Sequence, residues 1–359
     1  MSGTSAHPVW VLLGRRTGDN NQLIAAALAL GLPFEMISLK FKGPALPNVL
    51  LGASLHSLAN PEAIPAGSPR LVLSIGRRSP AVARWIRKRS GGVTKLVHFG
   101  RPWGRAQWFD LVVTTAQYGL EPAPNVICNV LPFLRERERE RTALPGALHE
   151  RLEALPRPWT VLLAGGNSRP YRFGADVARA LADRANELAQ AEGGSLLFLR
   201  SPRTPEACAQ LIAGRLRGPH YVYQPQRDDN PYLALLDRAD RFIVTSDSAL
   251  MVAEALSTAR PVEVFRLPRE PDWRYRFVSG WNALAEHNAL LRVPLRWLQR
   301  NGLITSTREL EGYYQRLDSV GAFSEAGAAA TVARAECERT IARIRELLEP
   351  KPGISSPRA

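Results

Sequence analysis

Lysine is scarce in this chain. It occupies only positions 40, 42, 88, 95 and 351, and the rest of the 47 basic residues are arginine. Cysteine is scarcer still. Cys128, Cys208 and Cys337 are far apart and odd in number, which excludes a disulfide framework and offers no metal-ligand spacing. The six histidines are scattered, so neither a structural metal nor a cofactor is expected. No apolar run approaches the roughly 18 residues of a membrane-spanning helix. The opening "MSGTSAHPVWVLLGRR" has no basic segment ahead of its short apolar run, so that run is read as a first β-strand rather than a secretion signal. Acidic residues number 33, and the formal net charge is +14. That balance favours anionic partners: nucleotides, anionic glycolipids or a membrane surface. Arginine suits two-pronged phosphate contacts, although genome composition would enrich it equally well. Nucleic acid fits less well, because aromatics are not interleaved with the basic runs. A reducing cytoplasm is the expected location, with peripheral contact at the inner face of a membrane.

A length of 359 residues exceeds what one hydrophobic core usually supports, so two domains are expected. Strand-like and helix-like segments alternate along both halves. "VWVLLG", "RLVLSIG", "TKLVHFG" and "FDLVVTT" read as strands of the first half, and "SPAVARWIRKRSGG" as a helix with Ser79 as its cap and Pro80 at its first position. "WTVLLAGG", "SLLFLRSPR", "HYVYQ", "RFIVTSDS" and "PVEVF" are strands of the second half. This pattern predicts two Rossmann-like, doubly wound parallel sheets facing a cleft. The expected domains are 1–150 and 151–327, with a long helix, 328–349, packing back on the first domain. The tail 350–359 is expected to be disordered. The joint carries "RERERER" (135–141), whose alternating signs read as a solvated helix face.

In open parallel sheets, ligands sit at the carboxyl ends of the strands. Three turns of the second half fall there. In "LLAGGNSRPYRF", Gly165 and Gly166 allow close approach of backbone to a phosphate, Asn167 and Ser168 offer donors, and Arg169 or Arg172 supplies charge. In "LRSPRTPEA", Ser201, Arg203 and Thr204 lead from strand to helix. In "TSDSALMVAEAL", Ser246 and Ser248 offer hydroxyls, and the following helix aims its positive end at the same place. Asp247 would repel a phosphate beside it, so it reads as a cap or a sugar-hydroxyl acceptor. Glu254, about 1.5 turns into that helix, can accept both hydroxyls of a ribose. The plain reading of all these residues is ordinary turn and capping chemistry.

In the first half, "GRRTGDNNQ" follows the first strand. Thr17 or Asp19 can cap the next helix, while Arg15, Arg16, Asp19 and Asn20 can face the cleft. A transferase needs a base for the acceptor hydroxyl. Asp19 is the candidate, with His98 as runner-up, although a histidine on a strand is commonly a packed core residue. Arg77 and Arg78 in "GRRSP" and Arg101 in "GRPW" can gather on one rim as an anion-binding acceptor side.

The glycine turn, the serine before the helix and the helix glutamate resemble the nucleotide-sugar half of GT-B glycosyltransferases such as the peptidoglycan glucosaminyltransferase, where the turn binds diphosphate and the glutamate binds ribose. Ser248 stands where that family often has glycine. "SPRTPE" is similar to a stretch of Kdo transferases, with Thr204 in place of a histidine. A closer resemblance covers about residues 9–290. "GRRTGDNNQ", "SIGRRSPAVARWIRK", "HFGRPW", "FDLVVTTAQYGL", "AGGNSRPYRF", "SPRTP" and "VTSDSALMVAEALSTARPVEVF" identify the chain as a member of the mitochondrial-fission "elongated mitochondria" family. The resemblance implies a GT-B-like fold and transfer of a sugar from a nucleoside-diphosphate sugar to an anionic cell-envelope acceptor, without a metal. Two alternatives stay open. One is a nucleotide-sugar epimerase. The other is a non-catalytic adaptor that keeps the fold as a binding surface. The family's plant members act as fission factors at the mitochondrial surface, but that role does not simply transfer, because the arginine-rich composition is that of a bacterial chain, which has no mitochondria to divide.

Overall fold

The computed structural model describes residues 8–134, 143–144, 146–270, 273–303 and 310–349. The "RERERER" joint and the 350–359 tail lie outside them. The first domain is built on β1 (Val9–Leu13), β2 (Phe34–Ser38), β3 (Leu71–Ile75), β4 (Lys95–Phe99), β5 (Leu111–Thr115) and β6 (Val126–Asn129). They form one sheet in the order β2-β1-β3-β4-β5-β6, with every neighbouring pair parallel. The second domain holds β7 (Trp159–Ala164), β8 (Ser195–Arg200), β9 (His220–Val222), β10 (Arg241–Thr245) and β11 (Val262–Phe265). Their order is β11-β10-β7-β8-β9, again with parallel neighbours.

The apolar strand runs are explained by burial on both faces. In the first domain, Val11, Leu73, Val97 and Phe99 pack under Leu23 and Leu30 of the helix Thr17–Leu30. The alternate residues Trp10, Leu12, Val72 and Leu96 pack under Val82 and Ile86 of the helix Ser79–Arg89. In the second domain, Val161, Leu163 and Val244 meet Val252 and Tyr313 on one face. Leu162, Phe198 and Ile243 meet Val177 and Leu181 on the other.

The helix Ala328–Leu348 joins the domains. Ala329 and Ala333 belong to a second-domain core, whereas Ile341 and Ile344 sit in the first-domain core. Between them, the buried Glu336 accepts the amides of Val130 at 2.6 Å and Leu131 at 3.0 Å.

Each sheet has one point where the strand order reverses. In the second domain it lies between β7 and β10, and in the first between β1 and β3. Neighbouring loops leave such a point in opposite directions and open a crevice at the carboxyl ends. Of the turns singled out from sequence, those after β7, β10, β1 and β3 flank the two crevices, and those after β8 and β4 lie one strand further along each sheet.

Candidate functional site

The second-domain crevice is organised around Asp247, whose side chain is fully buried. One oxygen accepts from Gly166 N at 3.0 Å and pairs with Arg203 Nη2 at 3.0 Å. The other accepts from Thr245 Oγ1 at 2.8 Å. Thr245 Oγ1 in turn accepts from Gly165 N at 2.7 Å. The turn after β8 closes the cluster: Thr204 Oγ1 donates to the carbonyl of Ala164 at 3.0 Å and contacts that of Gly165. Ser201 Oγ accepts from Arg203 N at 3.2 Å.

This geometry corrects the reading of the glycine turn. Gly165 and Gly166 are needed because the three turns pack on one another. A β-carbon on Gly165 would overlap the Asp247 carboxylate, and one on Gly166 would overlap the carbonyl of Arg203. Their amides are held by Thr245 and Asp247 rather than left open for a phosphate. Asp247 is therefore neither a helix cap nor a free sugar acceptor. Thr245 carries part of this arrangement and was passed over in the sequence, where a strand-end threonine gives no signal.

Other expected donors also hold the fold. Asn167 Oδ1 accepts from Phe173 N at 2.8 Å. Ser168 exchanges backbone hydrogen bonds with Tyr171. Ser246 Oγ accepts from Leu267 N at 2.9 Å. Arg172 is engaged by Asp176 and Glu270. Arg169 stays exposed at the rim.

The helix Ala249–Leu256 starts at this crevice, with Ser248 as its cap accepting from Met251 N at 3.5 Å. The first amides of a helix have no intrahelical partner and carry partial positive charge. Further along the helix, Glu254 is half-buried and accepts from the hydroxyl of Tyr232. Tyr232 opens the helix Tyr232–Arg238, and nothing in its sequence neighbourhood marked it as part of the site.

Across the cleft, the helix Thr17–Leu30 presents its first turn. Its cap position is Arg16, with no side-chain cap hydrogen bond, so Thr17 and Asp19 lie within the helix rather than capping it. Asp19 is half-buried there, and Arg15 and Arg16 are exposed. Asn20 grips the turn itself, accepting from Gly14 N at 2.8 Å and donating to Gly14 O at 2.9 Å. It is a loop clamp, with both amide atoms already used. Gly18 lies against Leu250 of the facing helix, 2.7 Å from an ideal β-carbon to Leu250 Cδ2. The two helix starts thus meet.

Not all of the arginines expected on an acceptor rim are exposed. Arg77 is exposed and lies over the Trp103 ring. Arg78 is half-buried, donates to the carbonyl of Lys42 and covers the Phe41 ring. Burial, with Arg77 nearby, lowers its pKa from the ordinary value. Arg101 is buried and donates to the carbonyls of Tyr118 at 2.9 Å and Gln299 at 3.1 Å. It ties the first domain to the 289–300 helix instead of facing an acceptor, because its donors are committed to backbone carbonyls. Ser79 is not a cap either: its hydroxyl donates back to Ile75 O at 2.8 Å.

His98 is no base. It is fully buried on β4, with Nδ1 2.9 Å from Ser74 Oγ and its ring against Phe109. Desolvation pushes its pKa from 6.5 down to about 3, against a smaller opposing contribution from the Arg101 backbone. A base must reach the proton it takes, and this ring is sealed in the sheet.

Two Rossmann-like domains meeting at the carboxyl ends of their sheets define the GT-B-like class of folds. A candidate UDP-N-acetylglucosamine 2-epimerase from Listeria monocytogenes shares this fold with a TM-score of 0.50 at 11% identity, over 94% of this chain and 95% of that one. The family described as Mitochondrial fission ELM1 matches residues 17–332, and the chain belongs to that family. Uncharacterized protein RP120 of Rickettsia prowazekii (strain Madrid E) is 26% identical over 296 residues, 72% of this chain and 83% of that one. Mitochondrial fission protein ELM1 of Arabidopsis thaliana is 30% identical over 220 residues, 55% of this chain and 51% of that one.

Proposed function

We propose that the protein binds a nucleoside-diphosphate sugar in the interdomain cleft and transfers the sugar to an anionic cell-envelope acceptor. The observation that carries this reading is the start of the helix Ala249–Leu256. It opens at the strand-order reversal and faces the first turn of the helix Thr17–Leu30 through the Leu250–Gly18 contact. In this reading the diphosphate takes the first amides of that helix. The ribose hydroxyls bind Glu254, whose orientation Tyr232 holds. Asp19 accepts the acceptor's proton from the opposite helix. Arg15, Arg16 and Arg77 draw in an anionic acceptor. Oriented amides and arginines supply the charge stabilisation that the leaving diphosphate needs.

One observation favours a second reading, a non-catalytic adaptor. Gly166 N, which a phosphate would use, is taken by Asp247. The two readings separate in solution. A panel of UDP-, GDP-, CMP- and ADP-sugars is screened by thermal shift, since ligand at 100 times its dissociation constant stabilises by about 2.7 kcal/mol. The transferase reading expects one donor to bind. Glu254→Ala should then weaken that donor about tenfold or more, the worth of a lost charge-assisted hydrogen bond. Asp19→Asn should lower turnover by about 10²–10⁴-fold with affinity kept. No stabilisation by any donor would leave the adaptor.

A further inference from the structure

The helices Trp273–His287 and Ala289–Arg300 form a hairpin, and each leaves large apolar side chains exposed. The first exposes Trp273, Phe277 and Leu284, and the second exposes Leu290, Val293 and Trp297. Leu290 is 85% exposed, the most of any large apolar side chain described. At 100° per residue the first set falls within about 40° of arc and the second within about 60°. Each helix therefore offers one narrow apolar stripe. Other contacts hold the hairpin in place. Gln299 Nε2 donates to Asn282 Oδ1 at 2.9 Å, joining the two helices. Arg105 Nε donates to Asn301 Oδ1 at 2.8 Å, and Arg101 donates to Gln299 O, joining the hairpin to the first domain. The stripes stay exposed to solvent, and exposed apolar patches of this kind mark interaction surfaces.

Charge indicates what covers them. Residues 273–300 contain five arginines, at 274, 276, 292, 296 and 300, against one acid, Glu286. Arg296 and Arg300 share a single counter-charge, Glu121 of the first domain. Arg276 and Arg292 are exposed. A second copy of the chain would set these arginines against one another. An anionic bilayer would neutralise them while taking up the tryptophans and leucine. The helices have 15 and 12 residues, too short to cross a bilayer, so they would lie in its plane.

We propose that this hairpin seats the protein on an anionic membrane surface, with Leu290, Val293, Trp297, Trp273, Phe277 and Leu284 entering the headgroup–acyl boundary. This docking does not depend on the sugar-transfer reading.

The test uses the full chain and vesicles of phosphatidylcholine with or without roughly a third phosphatidylglycerol. Flotation should recover the protein with the anionic vesicles, less so at high salt. Replacing Leu290, Val293 and Trp297 together by Ser should weaken recovery by about tenfold or more. The control pair Leu50→Ser and Val93→Ser, both 72% exposed elsewhere, should leave it unchanged. Brominated acyl chains should quench the fluorescence of the unaltered protein, because Trp273 and Trp297 are its exposed tryptophans among the described residues. That measurement decides the matter even if the triple variant fails to fold. Equal flotation of the folded triple variant, or no quenching, overturns the proposal. So does a dimer in sedimentation velocity that the triple variant converts to monomer, which would make a second copy the occupant.

Discussion

Gly18 and Leu250 touch across the cleft, and the close approach of the two helix starts depends on the missing side chain. The atom facing Gly18 is the tip of a flexible leucine, 2.7 Å from where a β-carbon would stand. Gly18→Ala should therefore cost little: Leu250 can swing aside, and alanine favours the helix over glycine by up to about 1 kcal/mol. Gly18→Phe cannot be absorbed in this way and should prop the domains apart. Small-angle scattering should show a larger radius of gyration for the Phe variant alone, and adding Leu250→Ala should partly reverse it. An unchanged radius for Gly18→Phe would mean that this contact does not set the spacing of the domains.

Asp247 places a carboxylate where the Gly166 amide and Arg203 converge, the position an anion would take under the nucleotide reading. Asp247→Ala leaves the Gly166 amide and the Thr245 hydroxyl without their partner. Each such buried group costs about 1–3 kcal/mol. The ion pair with Arg203 adds less, because that side chain is 41% exposed. The emptied crevice should then accept inorganic phosphate. With a dissociation constant of about 1 mM, phosphate at about 10 mM would restore about 1.4 kcal/mol, a melting shift of a few degrees. The unaltered protein should show no such shift. A variant indifferent to phosphate would mean that the carboxylate is a packing device and not an anion substitute.

The sheets were legible in the sequence because strands buried on both faces must be continuously apolar. "VWVLL", "LVLSI" and "WTVLLA" each match an observed strand. The edge strands β2 and β6 were missed. "FEMIS" buries only Ile37 and "VICN" only Asn129, so neither shows an apolar run. The three turns do converge, as parallel topology requires. What the sequence could not show is which groups satisfy one another once there. A glycine pair reads the same whether a ligand or an aspartate 81 residues later fills the space. Tyr232 and Thr245 were invisible for the same reason, since their roles exist only through contacts distant in the chain. The hairpin stripes were not singled out beforehand. Helical periodicity shows an apolar face but not whether the fold covers it.

His98 yields a prediction that depends on pH. Its folded pKa is lowered from 6.5 to about 3 by burial, so between those values the unfolded chain binds a proton that the folded chain refuses. Stability contributed by the neutral ring is fully present above pH 6.5 and is lost progressively as pH falls. At pH 5 the loss from this one group should be about 2 kcal/mol. His98→Gln removes the titration while retaining a polar group near Ser74. The substitution will lower stability at pH 7 through lost packing against Phe109, but it should flatten the decline between pH 7 and pH 5 by about that 2 kcal/mol. Urea unfolding at the two pH values measures both quantities, and comparing slopes cancels the packing loss. The other five histidines remain in both proteins, as do the carboxylates, so they cancel as well. Parallel declines in the two proteins would mean that the histidine titrates alike folded and unfolded, and that water reaches β4.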